Sequence, residues 1–280
     1  MSKQSGDKRS TGDDLVDELR LKPGKRAHLT DKGAGQTLGW EKEGALEALE
    51  ANRERLRELQ YQLYADGRYA VLAVLQAIDG GGKDGTVRGV FTAFNPQGCT
   101  VTSFKAPSAE ELRHDYLWRV HKRVPPRGEV GVFNRSHYED VLVVRVDKLV
   151  PKETWRARYD QINHFERLLA ENHVIVVKFF LHISKDEQRK RFEERVTDPT
   201  KQWKFSPEDL AKRKQWKDYR AAFEDALTRC STHHAPWYVI PADRNWFRNL
   251  AVSQVMVAEL EKLPLQFPKP QFDPAKVRVR

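Results

Sequence analysis

The densest chemistry in the chain lies in Ala77-Ile78-Asp79-Gly80-Gly81-Gly82-Lys83-Asp84-Gly85-Thr86. This stretch follows a short apolar run and opens a segment of helical character. Glycines at such a turn let backbone N–H groups approach and encircle a phosphate. The helix N-terminus adds partial positive charge, and Lys83 neutralises phosphate oxygens. The match to G-x-x-x-x-G-K-[ST] is imperfect, because Ala77 replaces the first glycine and Asp84 the Ser or Thr. The strand–loop–helix setting supports phosphate binding by Gly80, Gly81, Gly82, Lys83, Asp84, Gly85 and Thr86. The competing reading is a plain glycine-rich turn with a surface lysine.

Asp79 is the sharper clue. A carboxylate inside a phosphate-binding loop repels the ligand unless a cation stands between them. It therefore points to Mg²⁺, with Mn²⁺ as the alternative, since both favour carboxylate and phosphate oxygens. Asp79 can also orient or deprotonate an attacking phosphate oxygen. Asp84 either joins it or caps the helix, and the cap is the simpler role.

A second group is Phe133-Asn134-Arg135-Ser136-His137-Tyr138-Glu139-Asp140, which closes the apolar run Val130–Phe133. Ligand groups in doubly wound sheets emerge at the carboxyl ends of strands. That rule sets Asn134 and Arg135 in the same crevice as the glycine loop. Arg135 suits a bidentate grip on phosphate. Glu139 and Asp140 can reach metal-bound water or a substrate group, although Asp140 reads more simply as a surface residue at a helix start. His137 has no second His at ligand spacing and reads as a packing or hydrogen-bonding residue.

Five apolar runs are expected as strands: Ala70–Leu75, Cys99–Phe104, Val130–Phe133, Val174–Leu181 and Trp237–Ile240. They alternate with helical patterns over 41–65, 83–94, 108–122, 151–172 and 245–262, the last two flanking a charged region. This alternation predicts an α/β fold with a five-stranded parallel sheet. Residues 1–40, polar and rich in Gly, Lys and Asp, are expected to form a flexible N-terminal arm, one that a partner subunit can hold. Residues 41–265 then make one catalytic domain, and the proline-bearing residues 266–280 an extended tail. Residues 184–220 carry twelve Lys and Arg against eight Asp and Glu. They read either as an exposed helical hairpin or as a lid that closes basic side chains over phosphates.

The 280 residues, 39% hydrophobic and 10% aromatic, exclude a wholly disordered chain. A net charge of +9, from 49 Lys and Arg against 40 Asp and Glu, favours a polyanionic partner. Two cysteines are too few for a disulfide framework or a Cys-based zinc site. No apolar run approaches the ~20 residues needed to cross a bilayer, and the N-terminus has no apolar signal segment. A cytoplasmic protein without a membrane partner is expected.

Five motifs in order resemble the polyphosphate kinase 2 family over about residues 45–265. They are Asp79–Gly85, Asn95-Pro96-Gln97-Gly98, Phe133–Val141, Lys201–Asp209 and Ala235-Pro236-Trp237-Tyr238. The resemblance implies a P-loop kinase-like three-layer fold with a helical lid. It also implies Mg²⁺-dependent transfer of phosphate between inorganic polyphosphate and a nucleotide, and a homo-oligomer, dimer or tetramer. Asp79 and Lys83 become loop catalytic residues, and Arg135 matches the strand-end arginine. Asn134 stands where other branches carry aspartate. His137-Tyr138-Glu139-Asp140 resembles the branch that accepts both AMP and ADP, so AMP, ADP and ATP are the implied nucleotides. In the lid, Arg195, Lys204 and Asp209 match positions that meet phosphates or hold the closed lid. Asn134, Glu139 and Asp209 are the candidate nucleotide contacts.

Two other readings use the same residues. A basic nucleic-acid-binding protein with a degenerate loop explains the charge, with Trp203, Trp216 and Tyr219 as stacking groups. It leaves Asp79 unexplained, so no nucleic-acid partner is expected. An ATP-dependent nucleotide kinase would share the fold and differ in its donor.

Overall fold

The computed structural model describes residues 12–279. The elements run α1 (Gly12–Leu19), β1 (Arg20–Leu21), α2 (Asp31–Ala34), α3 (Lys42–Asp66), β2 (Ala70–Gln76), α4 (Lys83–Gly89), β3 (Cys99–Ser103), α5 (Trp118–His121), β4 (Val130–Asn134), α6 (Val143–Val146), α7 (Lys152–Glu171), β5 (Val174–His182), α8 (Lys185–Thr197), α9 (Pro207–Lys214), α10 (Trp216–Cys230), β6 (Trp237–Pro241) and α11 (Asn245–Glu261). The sheet order is β1-β6-β5-β2-β4-β3. Every pairing is parallel except β1 with β6.

All seven residues of β2 are buried, as for a parallel strand covered on both faces. Its side chains alternate between two cores. Val71, Ala73 and Leu75 join the layer that includes α1, α3 and α11. Ala70, Leu72 and Val74 join the layer that includes α7 and α10. The chain leaves β2 for the edge strand β3, returns as β4 on one side of β2, and later adds β5 on the other side. The loop after β2 therefore opens at the sheet's switch point, where α/β folds bind ligands.

The expected five strands are present, joined by a sixth. β1 pairs Arg20 with Tyr238 and Leu21 with Trp237. Two residues carry no readable apolar pattern, so β1 is set by tertiary contact. The expected arm over residues 1–40 lies outside the described residues up to 11, and from residue 12 onward it is packed. Leu15, Val16 and Leu19 enter one core and Ala27 and Leu29 the other. Ala27 and Leu29 also donate backbone N–H groups to Thr228 Oγ1 and Glu224 Oε1 at 3.0 and 2.9 Å. The segment thus wraps the sheet edge from one layer to the other. Its apolar residues are too sparse to predict this, but Leu15, Val16, Leu19, Ala27 and Leu29 each find a buried site.

The helix expected over 108–122 is broken. Ser108 and Glu111 exchange the reciprocal capping bonds that their spacing predicts. Only a 3₁₀ turn at Glu111–Arg113 follows. Asp115 Oδ1 then accepts from the N–H groups of Leu117 and Trp118 at 3.0 and 3.1 Å. A side chain that satisfies these donors offers the backbone an alternative to the helical ladder, and α5 starts afresh. The helix expected over 83–94 likewise ends at Gly89, followed by a 3₁₀ turn. The charged segment is an excursion of α8 and α9, while Trp216 already belongs to α10, whose inner face is buried. Residues 266–279 are exposed. Among the described residues, no helix is long and apolar enough to cross a membrane.

Candidate active site

The register of the sheet brings the two motifs together. Leu75 near the end of β2 pairs with Asn134 at the end of β4, and the N–H of Arg135 donates to Leu75 O at 3.1 Å. Arg135 thus leaves its strand beside the glycine loop. It does so at φ +64°, the left-handed region that non-glycine residues rarely adopt. Its Nη2 donates to Asp79 Oδ1 at 2.6 Å, and its Nη1 lies 3.9 Å from Glu139 Oε2. Lys212 of α9 stands 3.9 Å from Asp79 Oδ2.

Burial pushes the Asp79 carboxyl up. Lys83, Arg135, Lys212 and Arg195 together outweigh that and hold it below its ordinary range. Asp79 is therefore a carboxylate at neutral pH. Burial, reinforced by Arg135, lowers Lys83 to about 8, although Asp79, Glu139 and Asp84 pull the other way. Lys83 Nζ folds back to Ala77 O at 3.0 Å.

The glycine loop has the shape its sequence implies. Gly80 and Gly82 stand at φ +83° and +95°. The conformation of Gly82 favours glycine, and a Cβ there would lie 2.2 Å from Arg248 Nη1 and push that guanidinium aside. Thr86, the last residue of the motif, turns its side chain into its own helix. It is buried, and its hydroxyl donates to Gly82 O at 3.2 Å inside its own helix. Asp84 is not a helix cap, since Gly82 occupies the N-cap without a side-chain bond. The Asp84 carboxylate accepts instead from Asn134 Nδ2 at 2.8 Å.

A cleft of about 750 Å³ opens from the loop. Its walls include Asp79 to Gly85, Asn134, Arg135, Lys105, Arg195, Lys201, Lys204 and Asp209. Arg191 lines it as one of the basic residues of the expected lid, while Arg88 and Arg248 also line it and have no counterpart among the sequence-based candidates. Arg248 is buried. Its hydrogen bonds go to the amide oxygens of Asn245 and Asn249. Burial, with Arg191 and Arg88 nearby, lowers it to about 9. A cation so placed, with amide partners only, is suited to an anionic ligand. Its single sequence signal, an arginine one turn into the last helix, is indistinguishable from a surface residue. A smaller cavity of about 30 Å³ lies against the other side of Asp79 and Arg135. Ile78, Leu142, Val143, Tyr219 and Phe223 give it an apolar lining, with Glu139, Gln188 and Lys212 at its edges.

The lid lies down on the loop. Gln188 Nε2 donates to Asp79 O at 2.7 Å and Arg191 Nη1 to Gly80 O at 2.9 Å. Asp209 faces the cleft, but its carboxylate is engaged within the lid: it pairs with Arg195 at 3.6 Å and closes the capping box of α9. Those contacts suit the lid-holding role. Lys204 stands over the Trp203 ring, 5.0 Å from its centroid. Trp216 is buried in the core and Tyr219 lines the small cavity, so only Trp203 remains as the exposed stacking surface that nucleic-acid binding would require. Asp140 pairs with Arg158 at 2.9 Å, away from both cavities.

Among the described residues, no three His, Cys, Asp or Glu side chains are grouped to hold a metal by themselves. Mg²⁺ needs no such cage, because it binds through one or two carboxylates together with substrate phosphates. Asp79 and Asp84, both facing the cleft, fit that requirement.

A sequence profile of polyphosphate kinase 2 (PPK2) matches residues 40–268. The AMP/ADP-polyphosphate phosphotransferase of Meiothermus ruber is 52% identical over 262 residues, 93% of this chain and 98% of that protein. The ADP-polyphosphate phosphotransferase of Rhodopseudomonas palustris is 48% identical over 81% of this chain and 83% of its own. The crystal structure of polyphosphate kinase 2 from Arthrobacter aurescens TC1 superposes with a TM-score of 0.89 at 43% identity, covering 93% of this chain and 94% of that one. A glycine loop at a switch point, an arginine-rich lid and these likenesses lead to one conclusion: the chain belongs to the polyphosphate kinase 2 family.

Proposed function

We propose that this protein transfers the terminal phosphate of inorganic polyphosphate to AMP and ADP, reversibly and with Mg²⁺. The observation that carries the reading is the Asp79–Arg135 pair, which stands between a wide basic cleft and a small apolar cavity. A polyphosphate chain carries repeated negative charge along its length and requires a long cationic wall, not a single phosphate pocket. Arg88, Arg191, Arg195, Lys201, Lys204 and Arg248 offer that wall. The nucleotide enters on the side of Glu139 and Tyr219. Gln188 and Lys212, two walls of that side, belong to the lid, so lid opening sets its size.

In the transfer, an oxygen of the nucleotide phosphate attacks the terminal phosphorus, and the bond from that phosphorus to the next bridging oxygen breaks. The attacking oxygen is already ionised at neutral pH, so no general base is needed. Asp79, held as a carboxylate, is suited to positioning rather than proton abstraction. Lys83 and Arg135 meet charge on the transferred group, where positioning and neutralisation do most of the work. Mg²⁺, held by Asp79 and Asp84, would neutralise phosphate charge. The Mg²⁺ preference, the dimer or tetramer and the cytoplasmic location belong to this proposal.

Purified protein with Mg²⁺, polyphosphate and either AMP or ADP, followed by chromatography of the nucleotides, tests it. ADP should give ATP, and AMP should give ADP and then ATP. Untouched AMP with consumed ADP would remove AMP from the acceptors. Reaction with ATP as donor and none with polyphosphate would overturn the reading.

A further inference from the structure

Arg135 occupies a strained left-handed conformation, and such a conformation persists only where its surroundings over-determine it. The five residues that follow Arg135 are tied down one by one. With its amide nitrogen facing Glu139, Gln76 donates to Glu139 Oε1 at 3.0 Å and accepts from Ser136 Oγ and N at 3.0 and 3.1 Å. His137 Nε2 lies 3.2 Å from Glu166 Oε1. The Tyr138 hydroxyl donates to the same oxygen at 2.9 Å. Asp140 accepts from Arg158. Arg158 and Glu166 both belong to α7, so one helix grips the turn at two places.

Behind Tyr138 stands Lys178 of β5, fully buried. Its Nζ reaches Tyr138 Oη at 2.8 Å, Glu166 Oε2 at 2.5 Å and Cys230 O at 2.6 Å. Three acceptors match the three donors of an ammonium. Stability alone does not account for this group, because a buried ion pair is seldom more stabilising than well-packed apolar residues of the same volume. Directionality is what the ion pair adds. Apolar packing would fill the space beneath the turn, whereas hydrogen bonds fix its rotation, and Arg135 is three residues from Tyr138 along that turn.

We infer that the buried Glu166–Lys178 pair, acting through Tyr138, positions Arg135 for phosphoryl transfer. The inference rests on the role proposed above for Arg135. Glu166, Lys178 and Tyr138 are positioning residues, since none of them lines either cavity.

Tyr138→Phe removes one hydroxyl and keeps the ring. It should lower kcat by about ten- to a hundredfold, the cost of misplacing a group by about an ångström. KM for polyphosphate should stay within about twofold, because the cationic wall is untouched. In an Arg135→Ala background the same change should cause no further loss of kcat, since residues acting as a unit are non-additive. The double variant Glu166→Leu/Lys178→Met should behave as Tyr138→Phe does. Melting temperatures report folding, and if the double variant does not fold, Tyr138→Phe decides alone. Wild-type kcat in a folded Tyr138→Phe protein would overturn the inference. So would an equal loss of kcat in the presence and absence of Arg135, the pattern of a merely structural residue. Near-normal turnover in Arg135→Ala would instead overturn the role of Arg135 itself, which separates the two failures.

Discussion

Two carboxylate–cation pairs lie within the same α/β layer and serve different ends. Asp79 and Arg135 meet at 2.6 Å with side chains 20% and 35% exposed. Glu166 and Lys178 meet at 2.5 Å with neither exposed at all. In the sealed pair all three ammonium donors and both carboxylate oxygens are used. In the open pair Lys83, Arg135, Lys212 and Arg195 crowd one carboxylate, leaving cationic capacity for a ligand. The sealed pair is complete without a ligand. The open one is electrostatically unfinished, and in the function proposed above substrate phosphates would complete it.

The largest effect should come from breaking the sealed pair on one side only. Glu166→Ala leaves Lys178 buried without its anion and should cost about 3–5 kcal/mol in urea unfolding. A loss below about 1 kcal/mol would mean that Lys178 sheds its proton or finds water, and the contrast between the two pairs would weaken.

Breaking the open pair should spare the fold and abolish the chemistry. Lys83→Ala and Arg135→Ala should each cost about 2.7–4 kcal/mol in kcat, the usual worth of one preorganised donor, with little change in melting temperature. Asp79→Asn should likewise collapse turnover, while Mg²⁺-free polyphosphate binding holds or rises because a repulsive charge is gone. Lost turnover together with a large drop in melting temperature would mark Asp79 as structural.

Arg248 sharpens the comparison, since it is a buried cation with amide partners only. Arg248→Met should weaken polyphosphate binding about tenfold, or about 1.4 kcal/mol. Its melting temperature should hold or rise, because an uncompensated buried charge is removed. A fall in both would show that Arg248 braces the loop and does not serve the ligand.

The smallest effect is in pH. Lys83, lowered to about 8 by burial, is cationic below that value and loses its proton above it. Turnover should therefore fall as pH rises through about 8. Lys83→Arg, which stays charged, should move that limb upward even if the maximal rate is lower.

Glycines, an out-of-place aspartate and an arginine after an apolar run define local chemistry, and local chemistry is legible in one dimension. The juxtaposed Asp79, Lys83 and Arg135 were therefore readable, as were β2, β4, β5 and β6, because a buried parallel strand must be a continuous apolar run. The edge strand β3, by contrast, is largely exposed, and its Cys-Thr-Val-Thr-Ser is a weaker signal. Residues 12–40 were not readable as a packed element. Leu15, Val16, Leu19, Ala27 and Leu29 acquire their role only when the sheet edge and both layers exist to receive them. For Thr86 and Asp209 the structure added partners that the motif does not carry, hydrogen bonds within the helix and within the lid.

The sequence by itself determined the loop, the fold class and the phosphate chemistry, since these depend on residue type and short spacing. Only the tertiary structure brought Lys212 and Arg248 to the loop, across 133 and 169 residues from Asp79, and sealed Lys178 against Glu166. Charge–charge and hydrogen-bond energies depend on distance in space and on the surrounding dielectric, and neither is written in the order of residues along the chain.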